Sequence, residues 1–260
     1  VKANGYGHGI ERVGRALPQA DGFATLELDG AIRLRERNAA SPILLLEGFF
    51  EPSELHAIAS ANIATAIHQE EQLRILESVK PDRPLDVWLK VNTGMNRLGF
   101  PLARVRDALD RLRRSGATKS ITLMTHFATA DGPEGISGQL QRFNEVTEGI
   151  DLPRSLSNSA AIFSHPDAHG DIVRLGIGLY GATPFADKTA LALGLKPAMA
   201  LTSQIIAVQE LQVGDCVGYG NTFRCEMPMR IGVVACGYAD GYPRHAPSGT
   251  PLLVNGARTR

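Results

Sequence analysis

Asp86-Val87-Trp88-Leu89-Lys90-Val91, followed after a glycine-containing loop by Val105-Arg106-Asp107-Ala108-Leu109-Asp110-Arg111-Leu112, decides the fold class of this chain. The first piece is a short apolar run of strand character. The second places Val105, Ala108, Leu109 and Leu112 at helical spacing, with charged residues between them on what should be the wet face. The same alternation of strand and helix runs from residue 1 to about residue 195. Strands are expected to end at Val1-Lys2 and to lie near Phe23 to Leu26, Ile43 to Leu46, Ile63 to Ile67, Asp86 to Val91, Ile121 to Thr125, Ser155 to Ser157 and Ile172 to Leu175. Helix starts are read at Gly30 onward and at Glu51-Pro52-Ser53, where proline or small residues occupy the first turn. These eight βα units predict an α/β architecture, a (β/α)8 TIM barrel with its helices outside. An open doubly wound sheet uses the same units.

Near Gly194 to Pro197 the pattern changes. Met199 to Val208, Asp215 to Tyr219, Met229 to Cys236 and Leu252 to Asn255 read as short strands with turn signals and no helical period between them. The expected organisation is a barrel over residues 1 to 195, lacking most of its first strand, and an incomplete β-rich C-terminal domain over residues 196 to 260.

Composition narrows the function. The 27 basic and 27 acidic residues cancel, leaving no global field to attract nucleic acid or an anionic membrane, so a small-molecule partner is favoured. Cys216, Cys225 and Cys236 form no CxxC pair, which suggests neither a disulfide framework nor a zinc site and fits a reducing compartment. No metal is expected. No run of 18 or more apolar residues offers a membrane span.

In a barrel of this kind the reacting groups sit at the carboxyl ends of the strands, and phosphate is held by the loops after the seventh and eighth. The polar residues at those positions are Lys2, Lys90, Arg97, His126, Ser159 and Arg174, with Gly176 and Ile177 after the last strand. Backbone N–H groups at a helix start after Asn158-Ser159 and in the glycine turn could hold an anion without a cationic side chain. The turn literally contains GxGxxG at Gly176, Gly178 and Gly181. It closes the βα region instead of opening it, and no acidic strand end follows about 20 residues later, so the dinucleotide reading is weak.

Several of these stretches together resemble one family. Val1-Lys2-Ala3-Asn4-Gly5-Tyr6-Gly7-His8-Gly9 is similar to the lysine motif of the bacterial alanine racemases, and Lys90-Val91-Asn92-Thr93-Gly94-Met95-Asn96-Arg97-Leu98-Gly99 to their arginine motif. Met124-Thr125-His126-Phe127, Asn158-Ser159-Ala160-Ala161, Arg174-Leu175-Gly176-Ile177 and Cys236-Gly237-Tyr238-Ala239-Asp240-Gly241 follow in family order.

The resemblance implies pyridoxal 5'-phosphate (PLP) as cofactor, held by Lys2. Tyr6, Ser159, Gly176 and Ile177 would hold its phosphate, Arg97 its phenolate oxygen and the substrate carboxylate, and Arg174 its pyridine nitrogen. Lys2 and Tyr238 would be the two bases acting on opposite faces of alanine. Tyr238 would serve the partner's site in a homodimer. A phenol holds its proton well above neutral pH, so a tyrosine base needs help from cations or hydrogen bonds. The pairing of His126 with Arg174 is the expected source, although a histidine at a strand end also fits a packed residue with one hydrogen bond. Lys90 lies where many family members carry a carbamate; pairing with a carboxylate is its other reading. The implied activity interconverts L-alanine and D-alanine in a bacterial cytoplasm, supplying peptidoglycan synthesis. A broad-specificity racemase, a non-catalytic PLP carrier and a fold-related decarboxylase share parts of the pattern, but a carrier lacks the β-domain and a decarboxylase would place an acid where Arg174 stands. Family members carry a further segment before the lysine strand and more β-domain after Arg260. The chain is therefore expected to be part of a longer protein, and inactive or insoluble when made alone.

Overall fold

The computed structural model describes residues 1–37 and 40–259. Arg260, the last residue of the expected β-rich domain, lies outside them. The chain divides into two compact units, Val1–Ala198 and Met199–Arg260.

In the first unit six parallel strands neighbour one another in chain order: β1 (Phe23–Thr25), β2 (Ile43–Leu45), β3 (Ala64–Ile67), β4 (Leu85–Lys90), β5 (Thr118–Met124) and β6 (Arg154–Ser155). Helices α1 (Ile10–Ala16), α2 (Leu28–Arg37), α3 (Glu54–Ser60), α4 (Glu70–Ser78), α5 (Val105–Arg114), α6 (Ser137–Val146) and α7 (Ser159–Ser164) lie before, between and after them. This is the α/β alternation read from the sequence, curled into a half-barrel. Helix α5 buries Val105, Ala108, Leu109 and Leu112, the four residues that its spacing singles out. Fully burying such side chains stabilises by roughly 1.5–3 kcal/mol each for the larger ones. Its Arg111 clasps Glu70 at 2.6 Å and Glu77 at 2.7 Å, fastening α5 to α4.

Of the eight strands expected from the sequence, six form a hydrogen-bonded sheet among the described residues. At the start, Val1 reaches Ala24 O of β1 through its amino group at 2.7 Å, but the chain turns at once from Lys2 and forms no ladder. At the other end, Ile172 and Arg174 donate backbone N–H groups to Arg154 O and Ser157 O. The carbonyl of Ile172 is taken by the Ser155 hydroxyl at 2.8 Å instead of a backbone amide. The segment therefore runs beside β6 without the reciprocal bonds of a strand.

The alternation along β4 positions the first functional side chain. Leu85, Val87 and Leu89 are buried on one face, so Lys90 falls on the other, with Asp86 and Trp88.

The second unit consists of antiparallel pairs: β7 (Ile205–Leu211) with β10 (Met229–Val234), β8 (Cys216–Val217) with β9 (Phe223–Arg224), and β11 (Leu252–Val254) with β12 (Ala257–Thr259). The last pair turns through Asn255 and Gly256, both left-handed, the backbone that a two-residue hairpin requires. The first of these strands begins at Ile205, later than the Met199 expected from the sequence.

Among the described residues no helix is long and apolar enough to cross a membrane.

Candidate active site

A cavity of about 450 Å³ opens in the first unit, at the carboxyl ends of its strands. Nine of the ten residues chosen from the sequence contribute to its wall: Lys2, Tyr6, Lys90, Arg97, His126, Ser159, Arg174, Gly176 and Ile177. The tenth, Tyr238, belongs to the second unit, where it is 69% exposed at the start of a 3-10 turn with the Arg244 guanidinium 5.8 Å from its ring centre.

Lys2 is carried by an unusual backbone. Ala3, Asn4, Gly5 and Tyr6 have φ of 51°, 52°, 65° and 53°, a left-handed turn that L-residues adopt at a cost of roughly 1–2 kcal/mol each. Only glycine is at ease there, yet Gly5 is required for another reason as well, since a Cβ would meet Val13 Cγ2 at 2.8 Å. The Asn4 carboxamide accepts the Ile10 N–H at 2.9 Å and so ties the turn to α1. Lys2 Nζ ends 5.6 Å from the centre of the Tyr6 ring.

Where Tyr6 meets the loop after Arg174 lies an anion cradle. Ser159 Oγ accepts the N–H of Gly176 at 2.9 Å and of Gly178 at 3.3 Å. Ser159 opens α7, whose preceding residue Asn158 caps it by accepting the Ala161 N–H at 3.1 Å. A Cβ on Gly176 would lie 2.8 Å from Tyr6 Oη, so a hydroxyl, a second hydroxyl and two amides meet at one point. Donors of this kind fit the phosphate of PLP. Burial raises the proton affinity of the Tyr6 phenol, keeping it a donor.

Further cations line the same cavity. Arg174 spends Nη1 on Ser155 Oγ at 2.6 Å and Nη2 on Thr125 O at 2.6 Å, with further contacts to Leu156 O and His126 Nδ1, both at 3.3 Å. Its Nε makes no hydrogen bond among the described residues and is free to donate. Burial pushes this guanidinium down to about 10, still protonated at neutral pH. His126 is pushed down to about 3, first by burial and then by Arg174, Lys90, Arg97 and Lys2, so its ring is neutral. Lys90 is only 6% exposed. Burial, then Arg174 and Arg97, lowers its amine to about 8, against a weaker opposing pull from Glu47. No carboxylate forms an ion pair with Lys90 among the described residues, so the paired-lysine reading finds no partner. Glu47 and Asp131 are the acids on the wall, and the cavity is net positive, as suits a phosphorylated, carboxylate-bearing ligand. Among the described residues no cluster of ligands for a metal ion is found.

Other residues escape a reading of motifs. Buried Gln139 on α6 accepts the Ala128 N–H at 2.7 Å and donates to Thr93 Oγ1 at 3.0 Å and His126 O at 3.1 Å. Thr93 in turn bonds Thr125 Oγ1 at 2.8 Å. These links join the loop bearing Arg97 to the strand end bearing His126. The available signal is a glutamine four residues before Phe143 on the face of α6 that is buried.

Comparison with known proteins fits this geometry. Residues 1–184 match the family model "Alanine racemase, N-terminal domain" and residues 198–260 match "Alanine racemase, C-terminal domain". The alanine racemase of Nitrosospira multiformis is 54% identical over all of this chain and 74% of its own length. The crystal structure of the biosynthetic alanine racemase from Pseudomonas aeruginosa superposes with a TM-score of 0.95 at 48% identity, covering 99% of this chain and 73% of that one. The alanine racemase of Acinetobacter baumannii gives a TM-score of 0.91 at 37% identity, covering 99% and 73%.

Proposed function

The chain belongs to the alanine racemase family, isomerases that interconvert L-alanine and D-alanine, and from that premise we propose a PLP-dependent mechanism with two bases. The observation that carries the reading is the convergence of Lys2, the Ser159–Gly176 anion cradle and the His126–Arg174 pair on one cavity. Lys2 holds the cofactor and moves the α-proton on one face of alanine. Tyr238, supplied by the partner in a homodimer, moves it on the other. When bound, PLP draws electron density from the substrate α-carbon and so makes that proton removable.

The protein's own groups set the direction of that chemistry. Ser159 Oγ and the amides of Gly176 and Ile177, with Tyr6, hold the phosphate. Arg97 offers a planar fork to the substrate carboxylate and the phenolate oxygen. Arg174 cannot give up its proton at working pH, so a pyridine nitrogen facing it stays unprotonated. That limits how far charge is withdrawn and favours return of the proton over transamination. A carbamate on Lys90 would convert a buried cation into an anion able to orient Arg97. The product D-alanine would feed peptidoglycan synthesis in a bacterial cytoplasm.

The test is loss of the α-proton from L-alanine and from D-alanine in deuterated water. The full-length protein is compared with Lys2→Ala and Tyr238→Phe. The expected result is exchange from both enantiomers by wild type, none by Lys2→Ala, and a loss confined mainly to one enantiomer for Tyr238→Phe. PLP bound through Lys2 without exchange from any amino acid would instead mark a carrier protein.

A further inference from the structure

We propose that His8 is a positioning residue for the cofactor phosphate: its imidazole, braced on Tyr180, holds the left-handed turn that presents the Tyr6 hydroxyl to the cradle. The inference rests on the reading of Tyr6 and the Ser159–Gly176 cradle as the phosphate site.

His8 Nδ1 lies 3.1 Å from Gly5 O and 3.1 Å from Tyr6 O. Both neighbours are carbonyl oxygens, which only accept, so Nδ1 carries the proton and donates to each. Those carbonyls belong to the end of the left-handed turn, a conformation L-residues avoid unless the surroundings hold it. The His8 side chain is the clasp that closes it.

The ring is also fixed from the other side. It stacks on Tyr180 with centroids 4.6 Å apart and planes at 25°. Tyr6 stacks on the same Tyr180 at 4.7 Å and 29°. Tyr180 ends the 3-10 turn Ile177–Tyr180, which directly follows Gly176. Two residues of the lysine turn therefore grip one residue of the phosphate loop, and the two walls of the cradle are locked in register. Offset stacking of this kind restricts both rings at little entropic cost, since each has only two side-chain torsions. Among the described residues, His8 is not part of the cavity wall and touches the site only through Tyr6 and Tyr180. Its bonds go to Gly5 and Tyr6, not to Lys2, so its influence should fall on the phosphate end of the cofactor.

The experiment titrates cofactor-free protein with PLP and, separately, with pyridoxal, which lacks the phosphate, following absorbance. The variants are His8→Phe, which keeps the ring but not the donor; His8→Asn, which places an amide donor near the Nδ1 position; Tyr180→Leu, which removes the stack; and Tyr6→Phe. We expect His8→Phe and Tyr180→Leu to weaken PLP by about tenfold, the size of one or two hydrogen bonds. Pyridoxal affinity should stay unchanged in both, and His8→Asn should recover most of the loss. If Tyr6→Phe weakens PLP while His8→Phe and Tyr180→Leu do not, the positioning role is wrong and the phosphate reading survives. Equal weakening of PLP and pyridoxal in His8→Phe, unrelieved in His8→Asn, shows a merely structural role and also overturns it. If Tyr6→Phe leaves PLP affinity intact, the phosphate reading of Tyr6 itself fails, and the role of His8 with it.

Discussion

Nη2 of Arg174 stands 3.3 Å from Nδ1 of His126. A guanidinium can only donate, so Nδ1 presents its lone pair and the ring proton is on Nε2. Asn158 does not compete for the other role. Its carboxamide oxygen is engaged by the Ala161 N–H and its amide points to Phe127 O at 3.1 Å, with Nε2 at 3.5 Å. One contact thus fixes the tautomer of His126, while burial first, and then Arg174 and the other cations, keep the ring neutral.

A neutral buried histidine makes stability depend on pH with a definite sign. The folded-state pKa of about 3 lies below the ordinary 6.5, so between these values the unfolded chain binds a proton that the folded chain refuses. Stability therefore falls as pH drops below 6.5 and continues to fall until about 3. Between pH 7 and pH 5 this group alone should remove about 2 kcal/mol. Urea unfolding of wild type and His126→Gln at the two pH values isolates it: the wild type should lose about 2 kcal/mol more than the variant. Equal losses would show that His126 takes up a proton in the folded state.

The Tyr6 hydroxyl and the missing side chain of Gly176 occupy the same space. Gly176→Ala puts a Cβ 2.8 Å from Tyr6 Oη, so that hydroxyl has to move and PLP binding should weaken by about tenfold. Tyr6 Oη is the nearest atom that the new Cβ would meet. Tyr6→Phe removes the obstructing atom. The double variant should then bind PLP about as well as Tyr6→Phe alone, a strong departure from additivity. A spectroscopic titration of the four proteins decides it; additive losses would place the two effects in separate parts of the site.

The strand-to-helix alternation was legible because periodicity records which faces are buried, and α5 buries the residues its spacing names. The strand ends were legible for chemistry because polar residues there have no packing reason to follow an apolar run: Lys90 and His126 both stand out in this way. The two outer strands were over-read. Val1-Lys2 and Ile172 to Leu175 have the composition of strands, but pairing is decided by neighbours. The Ser155 hydroxyl takes a carbonyl that a ladder would have used. The left-handed turn after Lys2 was invisible for a different reason. Gly5, Gly7 and Gly9 advertise flexibility, whereas Ala3 and Tyr6 give no hint of positive φ. His8 and Gln139 escape such a reading because each acts through bonds to other residues, most of them to main-chain atoms, which no spacing rule records.

Gln139 ties the loop bearing Arg97 to the strand end bearing His126 by three hydrogen bonds, so its loss should be felt in both stability and turnover. Gln139→Leu has nearly the same shape but takes a partner from the half-buried Ala128 N–H and His126 carbonyl, at roughly 1 kcal/mol for each lost bond. The midpoint of urea unfolding should fall accordingly. Because Thr93 and His126 lose their common anchor, kcat should drop by roughly tenfold or more. KM should change less, as Arg97 itself is not altered. A variant with wild-type kinetics would remove Gln139 from any role in positioning.

Lys90 is the group whose chemical state the surroundings leave most open to change. Its amine, lowered to about 8, is neutral to an appreciable degree at neutral pH, and the neutral fraction grows as pH rises through that value. Only a neutral amine adds carbon dioxide. The C–N bond forms as the nitrogen lone pair attacks the carbon, and the nitrogen proton leaves to solvent. The product is an anion between Arg174 and Arg97, the two cations that depress the amine, so the same neighbours that disfavour the ammonium favour the carbamate. Protein equilibrated with 13C-labelled bicarbonate at pH 8 should therefore show a carbamate carbonyl resonance. Lys90→Gln should lack it, and acidification should abolish it in wild type. Turnover of Lys90→Gln should fall by roughly tenfold to a hundredfold, since Arg97 loses the anion that orients it. A wild-type spectrum without the resonance, together with full activity, would show that the free amine is the working form and that Arg97 is oriented by other means.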